Sequence, residues 1–96
     1  MIASFPASNN HSLLFEEMTK TQYLILQAIF DNNESKDDIL NYFYNRFIPL
    51  GEKWLFETIT ELENRTLIQK IDNLSDKRKY YYKLTDLAFN FMASLR

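Results

Sequence analysis

The stretch "DKRKYYYKLT", residues 76–85, sets four consecutive charged side chains, Asp76, Lys77, Arg78 and Lys79, against three tyrosines. Clustered cations interleaved with an aromatic ring suit contact with phosphate oxygens, a chemistry that depends on where charge sits and not on its average. The average is acidic here: 13 carboxylates stand against 11 lysines and arginines. Residues 1–64 hold ten acids and four bases (Lys20, Lys36, Arg46, Lys53), whereas residues 65–83 hold six bases (Arg65, Lys70, Lys77, Arg78, Lys79, Lys83) and two acids. One positive patch therefore sits in an otherwise negative chain. The competing reading of Lys77, Arg78 and Lys79 is a solvated loop tip, since loops attract charge regardless of role.

Other chemistries lack material. Without cysteine there is no disulfide, thiolate metal site or Cys nucleophile, which fits a reducing, cytoplasmic setting. His11 is the single histidine, so neither a His-based triad nor a multi-His metal site can be assembled. One glycine excludes a Gly-rich phosphate loop. Asp37 and Asp38 are adjacent and point about 100° apart on a helix, which suits capping better than acid–base work. Glu57 and Glu61 share a helix face, but no cationic or polar pocket is indicated around them. The expectation is a non-enzyme with no cofactor and no metal.

The elements that must position the patch follow from periodicity. "MTKTQYLILQAIFDNN", residues 18–33, has a threonine start, apolar residues Leu24, Ile25, Ala28 and Ile29 at helical spacing, and an Asn-Asn stop. "SKDDILNYFYNRF" begins with Ser35 as N-cap, carries acids in its first turn, and is expected to bury Ile39, Leu40, Phe43 and Phe47. Pro49 and Gly51 then break the pattern. A third helix is expected over 52–65, with Leu55, Phe56, Ile59 and Leu62 inward. The period next shortens: "TLIQKI" and "KYYYKL" are β-prone runs flanking "DNLSD", a hairpin with a loose loop. Thr85 caps a last helix with a stripe of Leu87, Ala88, Phe91 and Leu95. Three helices, a hairpin and a closing helix give a mainly α fold with a small two-stranded β wing, a winged helix-turn-helix. The segment "MIASFPASNNHS" lacks the features of a signal peptide and reads as a flexible arm, dividing the chain into an arm at 1–12 and a winged-helix domain at 13–96. No apolar run approaches the roughly 20 residues that span a bilayer, so no membrane partner is expected.

"LENRTLIQK", a spacer, and "DKRKYYYKLT" followed by a short helix resemble the end of the third helix and the wing of MarR-like and PadR-like transcription regulators. Leu62, Glu63, Leu67 and Ile68 match the first part of that pattern, Asp76, Lys77 and Arg78 the second, and Tyr82, Leu84 and Thr85 the third. "TQYLILQAIFDNN" also resembles the first helix of PadR-like proteins, so the resemblance covers about residues 19–92. Thr66 and Ala88 stand where the pattern has glycines. The resemblance implies sequence-specific binding of double-stranded DNA, with a recognition helix at about 52–65 and a basic wing at about 68–84.

Strand alternation is expected to put Tyr80, Tyr82 and Leu84 on a core face and Lys79, Tyr81 and Lys83 on an outer, basic face. Candidate DNA contacts are Lys53, Trp54, Thr58 and Thr60 on the third helix, and Lys70, Lys77, Arg78, Lys79, Tyr81 and Lys83 on the wing. Trp54 has an alternative reading, as a wedge between the second helix and the turn. Against DNA stand Glu52, Glu57 and Glu61, whose carboxylates repel phosphates; one glutamate can accept from cytosine N4, but three are harder to place. These glutamates read either as a solvated face or as a surface for a basic protein partner met through Glu57 and Glu61, without direct DNA binding. Phe89 beside the last helix's stripe, and Leu13, Leu14 and Phe15 without an obvious intrachain partner, point to a homodimer.

Overall fold

The computed structural model describes residues 18–72, 74–75 and 79–95. The arm at 1–12, the "LLF" at 13–15 and the wing-tip residues Lys77 and Arg78 lie outside the described residues.

Helix α1 spans Lys20–Phe30. Thr19 caps it reciprocally: its hydroxyl accepts from the Gln22 amide at 3.1 Å while the Gln22 side-chain carbonyl accepts from the Thr19 amide at 3.0 Å. Helix α2 spans Lys36–Tyr44, with the Ser35 hydroxyl accepting from the Asp38 amide at 3.0 Å and Asp37 and Asp38 in the positive first turn. Helix α3 spans Glu52–Asn64 after Gly51.

All three helices close in the same way. The amides of Asn33, Ile48 and Leu67 donate back to Ala28, Phe43 and Leu62, and those of Asn32, Phe47 and Thr66 to Ile29, Tyr44 and Glu63. This closure needs a left-handed residue, and Asn32, Phe47 and Thr66 supply it with φ of 71°, 58° and 61°. Phe47 is thereby 94% exposed, not buried as the helical spacing suggests, because the chain reverses at that residue and turns Ile48 toward the core instead. The left-handed geometry at Thr66 also accounts for the glycine that the MarR-like pattern has there.

Strands β1 (Ile68–Asp72) and β2 (Tyr80–Leu84) pair antiparallel, with Ile68 opposite Leu84, Lys70 opposite Tyr82 and Ile71 opposite Tyr81. On its far side β2 bridges to the entry of α2: Ser35 pairs with Tyr81, and the Tyr82 amide donates to the Glu34 carbonyl at 2.8 Å. Helix α4, Asp86–Ser94, starts at the expected cap, Thr85.

The core draws on every element: Ile25, Leu26, Ala28 and Ile29 from α1, Ile39, Tyr42 and Phe43 from α2, Leu55, Ile59 and Leu62 from α3, Ile68 and Tyr82 from the hairpin, and Ala88, Phe91 and Met92 from α4. Besides Phe47, three further residues of the expected helix stripes lie outside it. Phe56 sits about 100° around α3 from Leu55 and is exposed; Leu87 is exposed because Met92 takes its place on the α4 stripe; Leu95 is exposed because α4 ends one residue earlier. The helix-turn-helix of α2 and α3 with its adjoining hairpin is the winged helix-turn-helix expected from the sequence. Among the described residues no helix is long and apolar enough to cross a membrane.

Candidate nucleic-acid interface

Burial fixes the rotation of α3. Leu55, Thr58, Ile59 and Leu62 face inward, so at 100° per residue the outermost line is formed by Lys53, Glu57, Thr60 and Asn64, each within about 30° of it. Lys53 and Thr60, two of the expected contacts, are thus on the exposed outer line. Thr58 is not: it is only 2% exposed, and its hydroxyl donates to the Trp54 carbonyl at 2.8 Å. Its hydroxyl is polar, but its position belongs to the buried face. Trp54 is 58% exposed on one flank of α3, which removes the wedge reading. Asn64, absent from the sequence-derived candidates, stands on the outer line at the last turn. The signal that reveals it is its two-residue offset from the buried Leu62.

The acidic objection also shrinks. Glu52 is paired with Lys36 at 3.6 Å, a contact that ties the first turn of α2 to the first turn of α3. Glu61 lies about 70° off the outer line, on the flank shared with Trp54. Glu57 alone occupies the outer line.

The wing does not gather its cations on one face. Cross-strand partners share a face, so Lys70 lies with Tyr82 and Tyr80, while Tyr81 and Lys83 lie with Ile71 and Gln69 on the opposite side. The Lys70 ammonium sits 4.6 Å from the centre of the Tyr80 ring. Tyr80 is on the core-facing side as expected, yet 37% exposed, because it borders an open cleft and not the packed core. Lys83 is engaged by Glu34 at 2.6 Å, which pins the outer face of β2 to the segment before α2. Lys79, expected beside Tyr81 and Lys83, instead lines a cleft of about 170 Å³ together with Ser35, Lys36, Asp37, Phe56, Tyr80 and Tyr82. The cleft separates the wing from α3. Burial, and secondarily the nearby Glu63 carboxylate and Tyr80, push the Tyr82 hydroxyl above its usual value of 10.0, so the ring carries no charge near neutrality.

Several other cations serve the fold. Arg46 stacks on Tyr42 with its guanidinium carbon 3.4 Å from the ring centre, and Arg65 donates to the Gln22 side chain at 3.3 Å, joining the end of α3 to the start of α1. Among the described residues, Lys20, Lys53, Lys70 and Lys79 are exposed lysines without an acidic partner, and the last three lie on α3 or the wing. No group of carboxylates and histidines able to hold a metal ion occurs among the described residues.

No family model and no curated protein matches the sequence. Solved structures do match in fold. A MarR variant from E. coli complexed with operator DNA superposes with a TM-score of 0.71 at 18% identity, covering 88% of this chain and 56% of that one. MepR of S. aureus in a DNA complex gives 0.72 at 15% identity, covering 92% and 68%. BpsR of Bordetella bronchiseptica, whose DNA binding is regulated by 6-hydroxynicotinic acid, gives 0.69 at 20% identity, covering 93% and 69%. The chain spans about half to two thirds of the length of the MarR-type structures it is similar to. Its fold is the winged helix that these structures share.

Proposed function

We propose that this chain is a transcription regulator that binds double-stranded DNA, seating α3 in the major groove and laying the β1–β2 hairpin along the flanking backbone. The observation that carries this reading is the outer line of α3, Lys53, Glu57, Thr60 and Asn64, all exposed on the outer side of a helix-turn-helix beside a hairpin that bears Lys70 and Lys79. Lysines of the hairpin supply phosphate contacts, and Lys53, Thr60 and Asn64 have the polar groups that address base edges. MarR and MepR, which share the fold, are in complexes with DNA. In this reading Lys77 and Arg78 extend the basic wing.

The regulator acts as a homodimer. Phe89 is exposed on α4, and its ring lies 5.4 Å from Phe30 of α1; a second copy packing on Phe89 would cover it, while Leu87, two residues earlier, is exposed on the other side of the helix. Two copies would present two α3 helices to successive major-groove faces.

Duplex binding measured by gel shift at two salt concentrations tests the reading. Binding through a handful of lysines and arginines should weaken with a log–log slope of about −0.9 per phosphate neutralised. No binding at low salt would sink it. The second reading, an adaptor for a basic protein, is favoured by the exposure of Trp54 beside Glu61 on one flank of α3; charge reversal at Glu57 and Glu61 should then weaken the partner complex, and retained partner binding would count against it.

A further inference from the structure

Four carboxylates project from α3, and three of them have a place in the fold or off the reading line. Glu52 is held by Lys36 at 3.6 Å, Glu61 stands on the Trp54 flank, and Glu63 is half-buried near Tyr82. Glu57 differs. It is exposed, it lies in the second turn of α3 close to the outermost line, and among the described residues it has no ion-pair partner, Lys53 one turn earlier included.

A carboxylate in that position is costly for a helix that approaches a polyanion, unless it meets a donor. In the major groove the edges of guanine and thymine present acceptors, which repel it; adenine offers a donor beside its N7 acceptor; cytosine offers the N4 amino group alone. Resting on the DNA-binding reading above, we propose that Glu57 is a specificity-determining residue that selects cytosine, accepting a hydrogen bond from its N4 amino group. Selection works in both directions. The contact rewards cytosine, and the unpaired charge penalises guanine and thymine at the same position and weakens attachment to arbitrary duplex. The neighbouring Lys53, one helical turn away on the same line, is suited to the O6 and N7 acceptors of a guanine within a base pair or two of that cytosine.

Selection of binding sites from a randomised duplex pool, run in parallel with the full 96-residue chain, Glu57→Ala and Glu57→Gln, tests this. Glu57 is exposed, so both variants should keep the fold, checked by circular dichroism. The wild-type sites should contain a position fixed as cytosine, favoured over other bases on the order of tenfold. Glu57→Ala should lose that preference and bind unselected duplex more tightly, and Glu57→Gln should move it to adenine, whose N6 and N7 match an amide. If the alanine variant retains the cytosine, the assignment is wrong while DNA binding stands; if the wild-type chain enriches no duplex at all, both the assignment and the DNA-binding reading fall.

Discussion

The hydroxyl of Thr85 donates to the Thr66 carbonyl at 2.8 Å, and its oxygen accepts the Ala88 amide at 3.3 Å. One buried side chain thus caps α4 and fastens it to the turn that leaves α3, and the Thr85 amide adds a bond to the Leu67 carbonyl at 3.1 Å. Replacing Thr85 by valine keeps the volume but removes both hydroxyl roles. The expected loss is about 1–2 kcal/mol in urea unfolding. Thr85→Ser should retain most of the wild-type stability, and equal losses in the two variants would contradict a hydrogen-bonding role.

Thr66 and Phe47 occupy left-handed backbone, where a Cβ costs roughly 1–2 kcal/mol and glycine costs nothing sterically. Offset by the extra entropy of an unfolded glycine, Thr66→Gly and Phe47→Gly should each stabilise the chain by up to about 1 kcal/mol. A rise in Tm of several degrees for each is the expected result. Asn32→Gly should do less, since asparagine tolerates this geometry.

Tyr82 sets the alkaline limit. Its hydroxyl value is raised above 10.0 in the folded state, first by burial and then by Glu63 and Tyr80, so the folded chain holds that proton more tightly than the unfolded one. Its stabilising contribution is complete below pH 10 and is lost as pH rises through the folded-state value. Denaturation midpoints should decline above pH 10 in the wild type, and Tyr82→Phe should show a shallower decline. Identical slopes would remove Tyr82 as the cause.

On the wing, the lysines should behave unequally. Lys79 lines the cleft facing α3, whereas Lys83 is occupied by Glu34. Combined alanine replacement of Lys77, Arg78 and Lys79 should abolish duplex binding and leave the circular dichroism spectrum unchanged. Lys83→Ala should reduce stability by less than about 1 kcal/mol, as for an exposed pair, and leave the salt slope of DNA binding unchanged. A lost salt increment for Lys83→Ala would show that the lysine leaves Glu34 for a phosphate.

Local signals in the sequence reach the elements and their caps. Ser35 and Thr85 announce helix starts, Pro49 and Gly51 a break, and the change from a 3.6- to a 2-residue period announces the hairpin. What depends on distant partners is not written locally. Glu34 and Lys83 are 49 residues apart, and the one-residue bridge of Ser35 to Tyr81 is too short for any pattern. Thr58 misleads because its polarity outweighs a position about 60° from the middle of the buried face. Phe47 misleads in the opposite sense, since its hydrophobicity hides the fact that the backbone reverses there. Alternation correctly joins Tyr81 with Lys83 but stops at the end of β2, so it cannot carry Lys79 onto their face.

The hairpin is held at its base from two sides, by Leu67 and Ile68 packed in the core and by the Tyr82–Glu34 bond with the Lys83–Glu34 ion pair. Because Glu34 leads directly into α2, and Lys36 in turn grips Glu52, the wing's root and the first turn of α3 are parts of one frame. Their separation is then a gauge set within the fold, first by core packing and to a lesser degree by these exposed pairs. A duplex engaged by both must bring its grooves to that gauge, and sequences that narrow or widen a groove easily would be accepted ahead of stiff ones even where no side chain touches a base.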